Sequence, residues 1–177
     1  MKLSNLLLTA GLLSIGAANP IATVSRRQSS GIPTHALIGY LHASFENGSG
    51  YISMANVPDE WDIIALAFAV SSSVTSGQIQ FQRCNSTTCA GAESDADFLA
   101  AIKAKQAAGK KVIISIGGAD GEVQLTTAGA ATNFVNSVSE IIDQWGLNGL
   151  DVDFEGHSLY LNSGDNDLKN PTTPVVV

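Results

Sequence analysis

Basic residues are scarce: nine Lys and Arg stand against sixteen Asp and Glu in 177 residues, for a formal net charge of -7. The pI is near 4.7. Phosphate backbones are held by clustered cations, so this balance argues against nucleic acid as the partner. A neutral substrate tolerates it. Cysteine is equally rare, with two residues in all, and no further Cys or nearby His completes a zinc ligand set around them. No apolar run reaches the ~20 residues that a membrane-spanning helix needs. Low-complexity segments and simple short repeats are missing too. What remains is an ordinary globular composition, 45% hydrophobic and 14% charged, with enough apolar residues for one core and at most one domain.

The first residues, MKLSNLLLTAGLLSIGAANP, place one Lys before an apolar stretch that closes on Gly16, Ala17 and Ala18. The pattern is that of a secretory signal peptide over residues 1–18, cleaved after Ala18; the rival reading is a membrane anchor. A polar leader follows over 19–34, where the pair Arg26 and Arg27 offers a second trimming site. The expected product is extracellular, with no membrane association after cleavage. In an oxidising compartment Cys84 and Cys89, five apart, are most simply a small disulfide; a two-thiol metal site is the runner-up. Asn47-Gly-Ser and Asn85-Ser-Thr are glycosylation sequons and belong on surface loops.

Four short apolar runs punctuate the rest: HALIGYLH ending near Leu41, IIALAFAV at 63–70, KVIISIGG at 111–118, and GLDVDFEG. The second and third are continuously apolar, as strands buried on both faces are. Between the last three lie two helical stretches. One is capped by Ser94, Asp95 and Asp97, runs through Phe98, Leu99 and Ile102, and stops at Gly109. The other begins near Ala131, carries Phe134, Val138, Ile141, Ile142 and Trp145 on one face, and ends at Gly146. Strand, helix, strand, helix, strand at this spacing means βαβ units and a parallel sheet. Such a sheet is either open and doubly wound or part of a (β/α)8 barrel. The turn after the first run, HASFENGSG, is a poor nucleotide-binding turn, and a barrel puts catalytic residues at the C-terminal ends of its strands, where Glu155 falls.

The fourth run carries chemistry. Side chains alternate along a strand, so Asp151, Asp153 and Glu155 share one face while Leu150, Val152 and Phe154 take the other. Carboxylates two residues apart repel, and burial penalises each charge, so at least one is expected to hold its proton above the ordinary range of an acid. A protonated acid beside an ionised one is what general acid catalysis uses, and Asp153 with Glu155 is the natural pair. Two rival readings stand beside it: an edge strand whose acids are merely solvated, and an oxygen-ligand site for Mg²⁺ or Ca²⁺.

LNGLDVDFEG resembles the signature of glycoside hydrolase family 18, the chitinase family, whose pattern on the fourth barrel strand is Asp-Gly-x-Asp-x-Asp-x-Glu. Gly149, Asp151, Asp153 and Glu155 match, and Asn148 stands where the family usually has its first Asp. Ser115-Ile116-Gly117-Gly118 matches the third-strand motif Ser-x-Gly-Gly. GYLHASFENGSG and GHSLYLN are similar to a secreted microbial subgroup, and the resemblance covers residues 35–177.

This resemblance implies hydrolysis of chitin or other β-1,4-linked N-acetylglucosamine oligosaccharides, with retention and without a cofactor or metal. Glu155 would be the general acid and later the base. Asp153 would hold the substrate acetamido group, whose carbonyl oxygen is the nucleophile, a scheme apart from the two-carboxylate one. Asp151 would share a proton with Asp153, with Ser115 bonding nearby. Gly117 and Gly118 would leave room under the sugar or let strands approach closely.

Tyr40 either lines the sugar site or fills the core, and His42 and His157, near strand ends, are read as structural or solvated rather than as substrate contacts. Such a barrel needs about 250 residues and at least ~200, so the expectation is its first half, about four βα units. The family's Met-x-Tyr-Asp motif on the sixth strand and Trp on the eighth have no counterpart, which reads as a truncated chitinase with impaired activity. A secreted carbohydrate-binding remnant and an endo-β-N-acetylglucosaminidase are the alternatives.

Overall fold

The computed structural model describes residues 31–48, 50–158, 163–167 and 169–170. The signal-peptide span, the dibasic pair and most of the polar leader lie outside the described residues, as do several positions after Ser158. The elements are β1 (Ile38–His42), β2 (Ile63–Ser71), β3 (Ile79–Gln80), α1 (Asp95–Ala107), β4 (Lys111–Gly117), α2 (Ala128–Trp145) and β5 (Leu150–Asp153). Strands β1, β2, β4 and β5 are hydrogen-bonded in that order, all parallel, and β3 pairs antiparallel with the end of β2.

The two central strands are apolar because both their faces are covered. Ile64, Leu66 and Ala69 on β2 and Val112, Ile114 and Ile116 on β4 are buried to completeness. Against them packs a helical layer. α1 starts where Ser94 accepts a hydrogen bond from the Asp97 amide, with Asp95 and Asp97 in the first turn, where the helix dipole favours acids. It buries Phe98 and Ile102. α2 buries Val138, Ile141 and Trp145. The indole of Trp145 meets Phe98 edge-on at 5.5 Å and Phe81 edge-on at 6.0 Å, contacts worth about 0.5–1.5 kcal/mol each beyond burial. Helix α2 ends as expected, on Gly146 in the left-handed region. It starts at Ala128, three residues before the apolar period begins, because Thr127 caps it by accepting from the Ala130 amide.

Two details depart from four uniform βα units. Among the described residues, the connection from β1 to β2 contains no α-helix, only a one-turn 3-10 segment at Met54–Asn56; it carries Gly48, Gly50 and Pro58, which break a helical run. β3 is an extra two-residue strand closing a Ser-rich turn after β2. The strand order and the curvature described below are those of a partial (β/α)8 barrel.

Candidate active site

The register of β5 against β4 sets Asp151 beside Ser115 and Asp153 beside Gly117. Ser115 is fully buried, and its hydroxyl donates to Asp151 Oδ2 at 2.7 Å. The Tyr40 hydroxyl, from β1, donates to the same oxygen at 2.9 Å. β1 and β5 are three strand spacings apart, about 14 Å in a flat sheet, too far for a Tyr and an Asp to meet comfortably. Their contact requires the sheet to curl toward the face that carries these residues, as a barrel wall does. The same contact raises the Tyr40 pKa: the bond to Asp151 contributes most, then burial, then the negative charges of Asp151 and Asp153. The phenol therefore stays protonated and remains a donor.

Asp151 and Asp153 are half-buried, while Glu155 is exposed. β5 ends at Asp153, so Glu155 lies two residues beyond it and strand alternation does not fix its side chain, unlike the expectation of three acids on one continuous strand. The strand stops because its partner stops. Gly117 is the last residue of β4 at φ +118, and the Gly118 amide closes the ladder by donating to the Asp153 carbonyl at 3.0 Å. Space requires the first glycine: a Cβ on Gly117 would lie 2.1 Å from the Asp153 carbonyl oxygen, whereas one on Gly118, at φ +77, would meet the Phe68 ring at a tight 3.0 Å.

Leu150 and Val152, on the opposite face, are exposed, and Phe154 meets Phe134 edge-on at 6.1 Å. Asn148 is a structural residue. Its Oδ1 accepts from the Val112 amide at 3.0 Å and from Gln106 Nε2 at 3.1 Å, tying the entry to β5 to both β4 and α1.

Aromatic rings stand beside the acids at the C-terminal ends of β1 and β2. Tyr40 lies 6.2 Å from Phe68, Phe68 is nearly parallel to Phe45 at 6.4 Å, and Phe45 stacks on His42 at 4.5 Å. Phe68 and Phe45 were not legible as site residues. Phe68 hides at the end of an apolar run, and only the rule that barrel sites draw on each strand end and the loop after it would have drawn them in. His157 bonds to the Ala119 carbonyl through Nε2 at 2.9 Å.

The Cys84 amide donates to the Ala43 carbonyl at 2.8 Å, just past the end of β1. Cys84 and Cys89 are bonded to each other. Between them Asn85 is exposed, its Oδ1 accepting from the Thr87 and Thr88 amides. Asn47 is exposed as well, and Ser49 of its sequon lies outside the described residues. The disulfide loop borders a cavity of about 490 Å³ between the start of α1 and the end of α2, whose lining does not include Asp151, Asp153 or Glu155. Among the described residues, no group of three or more His, Cys, Asp and Glu is placed to hold a metal ion, and no helix is long and apolar enough to cross a membrane.

Residues 36–170 match the family model described as glycosyl hydrolases family 18. The chain is 66% identical over 149 residues to Exochitinase 1 of Streptomyces olivaceoviridis, covering 84% of this chain and 25% of that protein. It is 60% identical over 125 residues to the Probable class II chitinase of Arthroderma benhamiae, covering 71% of this chain and 38% of that one. Among solved structures it is similar to a family GH18 chitinase from Chromobacterium violaceum, with TM-score 0.63 and 41% identity over 72% of this chain and 33% of that chain. The chain thus spans between a quarter and two fifths of the length of these two curated relatives.

Proposed function

The chain belongs to glycosyl hydrolase family 18, and from that premise we propose that it carries the acid side of a chitin-hydrolysing site, with Glu155 as general acid and base. The observation that carries this reading is the convergence of Tyr40 and Ser115 on Asp151 Oδ2, with Asp153 next on the same face and Glu155 just past the strand end. With Oδ2 occupied by two donors, Oδ1 is the oxygen that Asp151 offers Asp153 for a shared proton. Asp153 then accepts from the N–H of a substrate acetamido group and turns its carbonyl oxygen toward the anomeric carbon.

Glu155 gives its proton to the glycosidic oxygen, the bond from C1 to that oxygen breaks, and the acetamido oxygen bonds to C1. In the second half Glu155 takes a proton from water, which adds to C1 and opens the ring just formed. Two displacements at C1 retain its configuration. Tyr40, Phe68, Phe45 and His42 supply apolar surface for neutral sugar rings, and an acidic protein does not repel such a substrate.

The test is turnover and binding of a soluble N-acetylglucosamine oligomer by the wild-type chain and by Glu155→Gln. Turnover lost with binding retained supports the assignment. Turnover that survives in Glu155→Gln overturns it. A wild-type chain that binds without turnover, unchanged by the substitution, would make this a carbohydrate-binding module. Release of glycans from a glycoprotein in preference to chitin fragments would make it an endo-β-N-acetylglucosaminidase.

We also propose that the product is secreted, with residues 1–18 removed and Asn47 and Asn85 as glycan acceptors. Support comes from the N-terminal pattern, the bonded cysteine pair and the exposure of both asparagines. Intact mass before and after enzymatic removal of N-linked sugars tests it, and a retained N-terminus would refute it.

A further inference from the structure

Glu155 lies where strand pairing no longer holds the chain, so something else must fix it. The Ser158 amide donates to the Glu155 carbonyl at 2.8 Å, closing a one-turn 3-10 segment over Gly156–Ser158. That turn is zipped to the loop after β4. The Ser158 hydroxyl, buried, accepts from the Val123 amide at 3.1 Å. His157 Nε2 sits 2.9 Å from the Ala119 carbonyl oxygen, and His157 Nδ1 sits 3.2 Å from Ser158 Oγ.

The proton count in this chain of bonds has one solution for a neutral ring. A carbonyl oxygen can only accept, so Nε2 must carry the hydrogen and donate to Ala119. Nδ1 is then a bare acceptor. Ser158 Oγ already accepts from Val123, so its own hydrogen is the one that Nδ1 takes. The Ser158 hydroxyl and both ring nitrogens of His157 are thereby satisfied, and none of the three is spared for substrate.

We propose that His157 is a positioning residue for Glu155. Locked in its Nε2–H tautomer by the Ala119 carbonyl and the Ser158 hydroxyl together, it pins the 155–158 turn to the loop after β4 and thereby sets the acid relative to Asp153, whose carbonyl is held by the Gly118 amide of that same loop. This rests on the reading of Glu155 as the acid. His157 itself does not touch the substrate.

The test joins kinetics with a readout that needs no turnover. His157→Phe keeps a ring of similar size and removes the donor, and a misplaced acid costs up to about 100-fold in rate. The expected result is a kcat lower by a factor of ~10–100 with KM within ~3-fold, as follows when a group acting only in the transition state is displaced. His157→Gln can donate to Ala119 through its amide and should recover most of the loss. Nitrogen chemical shifts of labelled histidine in the wild-type chain should report the Nε2–H tautomer, mixing with the other in Ser158→Ala. Amide exchange at Val123 and Ser158 should quicken in His157→Phe.

Wild-type kcat in His157→Phe, a change confined to KM, a dominant Nδ1–H tautomer, or unaltered amide exchange would each overturn the proposal. A wild-type chain without turnover would instead sink the assignment of Glu155 as acid. The hold on the turn would then be judged by the tautomer and the amide exchange alone.

Discussion

Gly117→Ala tests the geometry of the site without any need for substrate. Two penalties add at this position. The backbone sits at φ +118, where an L side chain costs about 1–3 kcal/mol. The new Cβ would also stand 2.1 Å from the Asp153 carbonyl oxygen, against a floor of 3.0 Å for real Cβ contacts, so β4 and β5 must part by nearly an ångström. That oxygen accepts from the Gly118 amide; weakening the bond costs up to about 1 kcal/mol, and overpacking of this kind costs about 1–3 kcal/mol.

The sum is about 2–7 kcal/mol, a large part of the 5–15 kcal/mol that keeps a typical domain folded. Gly109→Ala is the control, since its φ is +87 but nothing lies within 4 Å of the added Cβ, so it bears the conformational cost alone. The midpoints of urea unfolding, followed by tryptophan fluorescence at constant m-value, should therefore fall much further for Gly117→Ala than for Gly109→Ala. Equal shifts would mean that the strands are not in this register, and the placement of Asp153 would fall with it.

The donors on Asp151 can be removed singly and together. Ser115→Ala, at a fully buried site, should cost about 1.5–3 kcal/mol as a lost bond to a charged acceptor. Tyr40→Phe, at a residue that is 45% exposed, should cost less, about 0.5–1 kcal/mol. The double variant should lose more than the sum, because each donor serves the same oxygen; strict additivity in a double-mutant cycle would refute the shared contact. At high pH, Tyr51 gives a separate signal. Burial, then its bond to Glu93, pushes its pKa up to about 12, whereas an unfolded Tyr ionises near pH ~10. Stability from this group is complete below the unfolded value and is lost as pH rises through the folded one. Tyr40, raised as well, adds a loss of the same sign. Unfolding midpoints across this window, with phenolate absorbance, should show Tyr51→Phe losing less than the wild type, and identical curves would refute it.

The elements legible in the sequence were those with a long period or a hard stop. α2 could be read from its apolar face and Gly146, and α1 from its cap at Ser94, since both signals are local. The buried strands β2 and β4 were legible as apolar runs bounded by polar residues. β3 was not, because two residues have no period, and the missing helix between β1 and β2 could be inferred only from its Gly and Pro. At the site, the acids were legible by their alternation, yet the partners of Asp151 come from 36 and 111 residues away. No local pattern reveals such a contact. The bonds of Asn148 to Gln106 and Val112 and the locked tautomer of His157 belong to the same class, being products of tertiary placement.

The rival account of the acid row, an edge strand with solvated carboxylates, is half right. Among the described residues β5 is indeed last in the sheet order, and its other face leaves Val152 53% exposed. A solvated row would nevertheless leave each acid to water, since ordering a side chain costs entropy and surface charge pairs return little. Asp151 instead takes two hydroxyl donors, one of them fully buried, and one reaches it across the whole width of the sheet. Holding a carboxylate that way constrains the curvature of the wall and the position of the charge together. A substitution that frees Asp151 should therefore disturb both the shape of the sheet and the neighbourhood of Asp153, a coupling that a solvated edge would not show.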